Sequence, residues 1–254
     1  IVDNVLEITH LTNLQNRFLG QLSGGELRRS MIALAIAQQT PIILLDEPLA
    51  NLDPATGKNA IALIDTGAND DVLAKYSILG DDGIDKNGHG KKMVKAIKSV
   101  DPEANIVSIK AVSDSGVGSV SSVYAAIKLA IEMDVKVINM SIIAKSVSDN
   151  EIITSAIKEA IAKNIIVVGA AGNCKKDAKD YIPAGIPGVI TVGACDANGI
   201  RIDISNYGEC VDWNVFADST SEAAAVLSGF IAKNCNPDEN LNNIILILLY
   251  LILV

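Results

Sequence analysis

The stretch at 219–229, Ser-Thr-Ser-Glu-Ala-Ala-Ala-Val-Leu-Ser-Gly, sets a hydroxyl side chain at the start of an apolar, alanine-rich helix. Backbone N–H groups at a helix start have no partner within the helix, and the positive end of the helix dipole lies there. Both properties suit the negative oxygen that develops when a nucleophile attacks a carbonyl group. The pattern therefore predicts that Ser221 is positioned for chemistry rather than buried as a core residue.

Two apolar runs elsewhere in the chain each end in a polar side chain. Residues 61–67, Ile-Ala-Leu-Ile-Asp-Thr-Gly, indicate a buried strand that ends in the Asp65 carboxylate and a glycine turn. Residues 165–173, Ile-Ile-Val-Val-Gly-Ala-Ala-Gly-Asn, indicate a strand followed by the Asn173 amide. Strands alternate with helical stretches at 120–131 and 151–162. This alternation is typical of an α/β fold with three layers, a parallel sheet covered by helices on both faces. Sites in such folds lie at the carboxyl ends of strands, where Asp65 and Asn173 are expected.

A histidine opens another helical pattern. Residues 87–90, Asn-Gly-His-Gly, precede apolar side chains at helical spacing, which predicts His89 at a helix start. A serine hydroxyl is a weak nucleophile until a neighbouring base takes its proton. An imidazole titrates near neutral pH and can accept that proton and return it. His10 is the only other histidine, which limits the choice of base.

Each of these signals has a simpler interpretation when taken alone. Asp-Thr-Gly is a common strand ending, and His-Gly is often a surface turn. Ala-Gly-Asn is an ordinary loop, and a serine near a helix start is often a cap. The four signals in this order are difficult to explain in that way. Over about residues 58–233 they resemble the motifs of the subtilisin-like serine proteases.

The resemblance implies a subtilisin-like fold and a serine endopeptidase that hydrolyses peptide bonds in peptide or protein substrates. By this resemblance Ser221 is the nucleophile, His89 is the general base, and Asp65 orients the imidazole. The Asn173 side chain and the Ser221 backbone N–H bind the oxyanion. In the family the nucleophile motif reads Gly-Thr-Ser-x-Ala-x-Pro, so Thr220, Ser221 and Ala223 match it.

The same resemblance implies a substrate-binding cleft. Gly116 and Gly118 lie in a segment similar to the family's edge segment, which pairs with an extended substrate by strand addition. Ser141 and Ile143 lie where the family usually has Ser-Leu-Gly along one wall of the first specificity pocket. Because isoleucine replaces glycine there, we expect a small or altered pocket.

Two further departures from the family pattern bear on activity. Ser219 stands where the family has glycine, so its side chain imposes strain if that position needs a positive φ, or blocks the cleft. Lys91, Lys92 and Lys95 give a cationic helix start beside His89, which is expected to disfavour the imidazolium. These departures favour the alternative of a catalytically impaired peptide-binding or structural remnant.

The first fifty-odd residues carry different motifs. Leu-Ser-Gly-Gly-Glu-Leu-Arg-Arg at 22–29 is followed by Pro-Ile-Ile-Leu-Leu-Asp-Glu-Pro at 41–48 and Asn-Leu-Asp at 51–53. These motifs resemble an ABC-type ATPase. The resemblance implies that Ser23, Gly24 and Gly25 belong to the signature that caps a nucleotide's γ-phosphate. It also implies that the Asp46 carboxylate supports Mg²⁺ and that the Glu47 carboxylate polarises water.

Independent nucleotide hydrolysis is not expected from this fragment. A phosphate cradle needs the pattern G-x-x-x-x-G-K-[ST], and Gly57-Lys58-Asn59 lacks its first glycine and its hydroxyl. ATP and Mg²⁺ are therefore not expected as ligands, and an ABC-type ATP-binding subunit is the disfavoured third function. We divide the chain into an ABC-ATPase-like fragment at 1–57, a subtilisin-like peptidase domain at 58–234, and a linker with an apolar tail at 235–254.

The amino-acid composition limits the classes of molecule that the chain is expected to bind. The net charge of −9 argues against nucleic acid. Four widely spaced cysteines do not suggest a zinc site, and no cofactor is expected to be required, although structural Ca²⁺ remains open because family members often carry it. The apolar run at 244–254 is shorter than the roughly 20 residues of a membrane-spanning helix, so we expect a buried segment or a hydrophobic partner for this tail. No secretory leader is recognised, so a cytoplasmic location is expected, although family members are often secreted.

Overall fold

The computed structural model describes residues 58–145 and 150–234, together with Leu6 and residues 12–15. The chain divides into two compact units, Ile1–Ala50 and Asn51–Val254. In the first unit the structure describes a 3₁₀ turn at Thr12–Leu14. The apolar tail after residue 234 and the nucleotide-related residues lie outside the described residues, the latter being Ser23, Gly24, Gly25, Asp46 and Glu47. The boundaries that we drew from the sequence stay predictions.

The second unit alternates strands and helices. Its strands are β1 (Ala60–Asp65), β2 (Ala74–Ser77), β3 (Asn105–Lys110), β4 (Val137–Met140), β5 (Ala144–Lys145), β6 (Ile166–Ala170), β7 (Tyr181–Ile182), β8 (Ile190–Cys195) and β9 (Trp213–Phe216). Its helices are α1 (His89–Val100), α2 (Val120–Glu132), α3 (Glu151–Ala162) and α4 (Thr220–Asn234), with a 3₁₀ turn at Ala178–Asp180.

Seven of these strands form one parallel sheet, in the order β2-β3-β1-β4-β6-β8-β9. Strands β1, β4, β6 and β8 are buried along their whole length. They are mostly apolar because helices cover both faces, and their buried polar residues include Asp65 and Asn139. Helices α1 and α4 pack together on one face, over a core that includes Ile61 and Leu63, and α2 packs against α3 on the other. The predicted α/β fold is confirmed.

The strand order places a crevice beside β1. Strand β3 lies on one side of β1 and β4 lies on the other, so the direction of winding changes there. Open parallel sheets leave a crevice outside the carboxyl ends of the strands at such a point. Asp65 is the last residue of β1, and Lys110, its partner in register, is the last residue of β3. The end of β1 is thus the natural location for a site.

Helix α1 begins close to that strand end because two glycines allow it. Gly67 follows β1 with a φ of +109°, a conformation that favours glycine. A Cβ atom on Gly90 would collide with the Gly67 carbonyl oxygen. The Gly90 backbone N–H donates instead to Thr66 Oγ1 at 3.0 Å. The helix start expected at His89 is confirmed, and it lies directly against the end of β1.

The described helices also bear on membrane association. Among helices within the described ranges, none has the length and apolar character that crossing a bilayer requires.

We expect Gly90→Ala to lower the free energy of unfolding by about 1–3 kcal/mol, because the added methyl group meets a backbone oxygen that cannot move aside. Urea denaturation measures this change. Lys95→Ala is the control, since it truncates an exposed side chain of the same helix and is expected to change stability by less than about 0.5 kcal/mol. Equal stabilities for the two variants would contradict the close approach of Gly90 and Gly67.

Candidate active site

The Asp65 carboxylate and the His89 imidazole form the centre of the site. His89 Nδ1 lies 2.7 Å from Asp65 Oδ1. The Asp65 side chain is fully buried, and 34% of the His89 side chain is exposed. Asp65 Oδ1 also accepts a hydrogen bond from the Thr66 backbone N–H at 2.7 Å. The carboxylate therefore fixes the ring through one nitrogen. Nε2 has no hydrogen bond within the part of the chain that the structure describes.

The surroundings of His89 favour its protonated form. The hydrogen bond to Asp65 raises the pKa of His89, burial lowers it, and the charges of Asp65 and Asp85 raise it further. Lys92 lowers the pKa, as expected from the sequence, but the net shift is upward from 6.5. The effect expected of the lysines is therefore present at Lys92, but the groups that raise the pKa of His89 outweigh it. Two buried carboxylates act on the ring more strongly than exposed ammonium groups do.

Ser221 lies in the first turn of α4 with 8% of its surface exposed. Its Oγ donates to the Ser141 carbonyl oxygen at 3.2 Å. The Ser141 hydroxyl in turn lies 2.9 Å from the Ser221 carbonyl oxygen. Within the described ranges no hydrogen bond joins Ser221 to His89. The structure therefore ties the serine to Ser141, and catalytic hydrogen bonds often tighten only when substrate binds.

Asn173 lies beside the start of α4. Its Oδ1 accepts hydrogen bonds from the backbone N–H and the hydroxyl of Thr220, both at 3.1 Å. The Thr220 hydroxyl oxygen also accepts from the Gly172 N–H at 3.1 Å. Because the amide oxygen is engaged, the orientation of the amide is fixed and its NH₂ group is left as the donor. Asn173 and Ser221 are thus brought to the same helix start.

The residue before this helix adopts an ordinary conformation. Ser219 is not among the described residues with positive φ, so the strain considered from the sequence does not arise. Its Oγ accepts from the Glu222 N–H at 3.3 Å, and its carbonyl oxygen accepts from the Ala223 N–H at 3.0 Å. Ser219 therefore acts as a cap of α4.

A cavity of about 370 Å³ opens beside the Asp65–His89 pair. The four residues predicted to bind substrate all line it, namely Gly116, Gly118, Ser141 and Ile143. Ser221 and Asn173 are not among its lining residues. Much of the remaining wall is apolar, and includes Val112, Val123, Met140, Ile142, Ile153 and Pro183. The cavity therefore joins the Asp65–His89 pair to a mostly apolar space.

Asp85 holds the start of α1, and sequence reasoning missed it. Its Oδ1 accepts from the Thr66 hydroxyl at 2.9 Å and from the backbone N–H groups of Asn87 and Gly88 at 3.0 and 2.8 Å. Its Oδ2 accepts from the Lys91 N–H at 2.7 Å. An acidic residue just before a helix is a typical capping signal, so the role of Asp85 could have been noticed in the sequence. The bond to Thr66 joins residues far apart in the chain.

Asn206 supports the loop that carries Asn173, and it too was missed. Its Nδ2 donates to the Ala171 carbonyl oxygen at 2.9 Å. Its Oδ1 accepts from the N–H groups of Cys174 and Lys176 at 2.9 and 3.0 Å. The side chain is fully buried and its bonds bracket residues 171–176. In sequence it stands in a polar, glycine-containing stretch typical of any loop.

The side chains of His, Cys, Asp and Glu are those that can bind metal ions. Within 58–145 and 150–234, no group of three or more His, Cys, Asp or Glu side chains is arranged to hold a metal ion. Cys174, Cys195 and Cys210 are free thiols, and of these Cys195 is buried.

Comparisons with known proteins match both parts of the chain. Residues 57–243 match the Subtilase family and residues 2–50 match the ABC transporter family. The chain is 36% identical over 164 residues to Subtilisin-like protease 2 of Pseudogymnoascus destructans, over 62% of this chain and 40% of that protein. It is 35% identical over 133 residues to Thermostable alkaline protease of Halalkalibacterium halodurans, over 49% of this chain and 36% of that protein.

A solved structure matches the fold. The crystal structure of a cold adapted subtilisin-like serine proteinase superposes with a TM-score of 0.63 and 27% identity, over 77% of this chain and 82% of that one. The chain spans 36–40% of the length of the first curated relatives that it matches.

We expect Asp85→Asn to lower the pKa of His89, because the variant removes a negative charge that stabilises the imidazolium. Lys92→Met is the matched control of opposite sign, since loss of that positive charge should raise the pKa of His89. NMR titration of the imidazole C–H signals measures both shifts, and His10→Gln identifies which of the two histidines is followed. Shifts of the same sign in both variants would contradict this electrostatic account.

Proposed function

The chain belongs to the subtilase family, and on that premise we propose that it is a serine endopeptidase with Ser221 as its nucleophile. The observation that carries the proposal is the 2.7 Å contact between His89 Nδ1 and the buried Asp65 carboxylate at the edge of the cavity. A histidine fixed in this way keeps a defined tautomer and presents its other nitrogen to a substrate. The similar proteins named above are proteases, which agrees with this class.

The reaction begins when His89 Nε2 takes the proton of the Ser221 hydroxyl and Oγ attacks the substrate carbonyl carbon. Asp65 stabilises the imidazolium that forms, in agreement with the raised pKa of His89. The imidazolium then gives its proton to the leaving amine, and water hydrolyses the acyl-enzyme by the same steps. Because Oγ donates to the Ser141 carbonyl oxygen in the free protein, the first step requires the Ser221 hydroxyl to exchange this bond for one to His89.

The oxyanion of the tetrahedral intermediate is assigned to two donors. These are the Ser221 backbone N–H at the helix start and the Asn173 NH₂ group. The amide is oriented by the two bonds from Thr220 to its oxygen. Donors held before the reaction stabilise the developing charge without reorganising.

The cavity points to the class of side chain that precedes the cleaved bond. The charged groups that line it are Asp65 and His89, which the reaction uses. The rest of its wall is largely apolar, and the branched side chain of Ile143 belongs to that wall. We therefore propose a preference for a compact apolar side chain at this position, with the peptide backbone paired along Gly116 and Gly118.

A non-catalytic peptide-binding function is the alternative. The bond from Ser221 Oγ to the Ser141 carbonyl oxygen favours it, because the hydroxyl has no bond to His89 in the described part of the chain. In that case the cavity and the edge segment bind a peptide without cleaving it. Covalent reactivity at Ser221 separates the two functions.

We expect a fluorophosphonate probe to label the purified full chain at Ser221, because an activated serine attacks the phosphorus atom as it attacks a carbonyl carbon. Ser221→Ala should abolish labelling, and His89→Ala should slow it by roughly 10²-fold or more. Fluorescent gel analysis and mass spectrometry of the labelled peptide measure both effects. No labelling of a wild-type protein with native circular dichroism would reject the endopeptidase and leave the peptide-binding alternative.

Asn173→Ala should lower kcat for a peptide substrate by about 10²–10³-fold with little change in KM, because the amide acts on charge that develops in the transition state. Steady-state kinetics with a chromogenic peptide test this split. Asn198→Ala is the control, since Asn198 is an exposed asparagine in a turn, and its kcat should stay near that of the wild type. A loss expressed mainly in KM would instead assign Asn173 to substrate binding.

A further inference from the structure

The buried ammonium group of Lys110 takes no part in the mechanism above. Its side chain has no exposed surface. Nζ lies 2.6 Å from Asp114 Oδ1, 2.9 Å from Asp81 Oδ2 and 3.0 Å from the Ile84 carbonyl oxygen. An ammonium group has three N–H donors, so all three have a partner here. A buried lysine with a full set of oxygen partners is a fixed joint between the segments that supply them.

The segments that Lys110 joins both adjoin the active site. Lys110 ends β3 and pairs in register with Asp65. Asp81 and Ile84 belong to the connection that leads into α1 and His89. Asp114 belongs to the exposed turn at 113–118. One buried cation therefore ties the approach to the base and the predicted substrate edge to the same strand end.

The conformation of the turn at 113–118 is fixed by hydrogen bonds within the turn and at its base. Inside it, Ser113 N–H donates to the Val117 carbonyl oxygen and Gly116 N–H donates to the Ser113 carbonyl oxygen, both at 2.9 Å. At its base, Val112 and Gly118 form an antiparallel bridge. These bonds lie within the turn and at its base, and none of them joins the turn to the connection that leads into α1. Its position relative to the cleft must come from bonds to other segments.

Two such bonds converge on Asp114. Its carboxylate accepts from Lys110, and its carbonyl oxygen accepts from Asn87 Nδ2 at 2.9 Å. Asn87 Oδ1 also accepts from the His89 backbone N–H at 3.3 Å. Because Lys110 is buried and Asn87 is exposed, the ammonium group is the firmer of the two anchors.

The charges of this joint persist over a wide pH range. Burial acts to lower the pKa of Lys110, but its bonds to Asp114 and Asp81 outweigh burial and raise it. Burial acts to raise the pKa of Asp81, and hydrogen bonds from Ser77, Lys110 and Gly83 bring it down to about 2. The Lys110 ammonium group and the Asp81 carboxylate therefore both carry their charge at any pH at which His89 acts as a base.

We propose that Lys110 is a positioning residue that fixes the turn at 113–118, and with it the backbone of Gly116 and Gly118, as the edge on which an extended peptide is paired. This inference rests on the proposed function, because it concerns the substrate of the same site. Pairing by strand addition depends on backbone groups held in register with the incoming chain. A turn that pivots should bind an extended peptide poorly while the chemistry at His89 is less affected.

Lys110→Met is the decisive variant. Methionine has a similar length and fills the buried volume without the charge. The carboxylates that lose their partner are 36% exposed in Asp81 and 45% exposed in Asp114, so water can solvate them and the fold should survive. The matched control is Lys128→Met, which breaks another lysine–carboxylate pair, Nζ lying 2.8 Å from both Glu159 oxygens, between α2 and α3. Thermal unfolding is recorded for both variants.

The test compares two substrates of different length. A tetrapeptide p-nitroanilide has a backbone that can pair with Gly116 and Gly118, whereas p-nitrophenyl acetate has no peptide backbone to pair. In Lys110→Met we expect the loss of kcat/KM on the peptide to exceed the loss on the ester by roughly tenfold, and to appear in KM. Lys128→Met should show no such difference between the substrates. Equal losses on both substrates, or no selective loss on the peptide, would overturn the inference.

Binding without turnover separates this inference from the proposed function. The affinity of a fluorescent tetrapeptide is measured by anisotropy for Ser221→Ala, with and without Lys110→Met. A roughly tenfold weaker Kd in the double variant supports the inference even if the wild type cleaves neither substrate, a result that by itself rejects the endopeptidase. An equal Kd in the two proteins, or no binding to Ser221→Ala, overturns the inference.

Discussion

The close contact between the end of β1 and the start of α1 is the constraint on which the site depends. Glycines at 67 and 90 let the helix approach until His89 Nδ1 meets Asp65 Oδ1 at 2.7 Å. Charge-assisted bonds to Oδ1 offset much of the cost of burying this carboxylate, whereas Oδ2 has no hydrogen-bond partner among the described residues. The same bonds orient the imidazole toward the cavity and raise the pKa of His89. The close packing of the β1 and α1 backbones thus determines the orientation and the pKa of the His89 imidazole.

A second constraint fixes α4, which brings Ser221 to the same edge of the sheet. This helix packs against α1 and the sheet along an almost wholly apolar surface. A polar contact crosses that core, because Asn139 Nδ2 on β4 donates to Ser228 Oγ at 2.9 Å. Buried polar groups specify one arrangement when each has its partner. The contact therefore fixes the position of α4 along its axis relative to β4, and with it the position of its first turn beside Asn173.

Support for the site comes from buried polar groups that take no part in the reaction. Asp85 holds the start of α1, Asn206 holds the loop of Asn173, and Lys110 joins the two loops beside the cleft. The hydrogen bonds of all three side chains fix the positions of neighbouring segments, and the charge of Asp85 also raises the pKa of His89. The proposed peptidase activity would need such support, because small displacements of catalytic groups are costly in rate. These three buried residues thus hold in place the segments that carry the candidate site residues.

The sequence by itself determined the α/β fold, the strand end at Asp65, the helix starts near His89 and Ser221, and the family to which residues 57–243 belong. These are local features, since apolar runs, glycines and capping residues act on neighbouring positions. Only the tertiary structure decided the direction of the His89 pKa shift, the bond from Ser221 to Ser141, and the roles of the polar joints. Their physical reason is long-range contact, as between Thr66 and Asp85 or between Ser141 and Ser221, 19 and 80 residues apart in the chain.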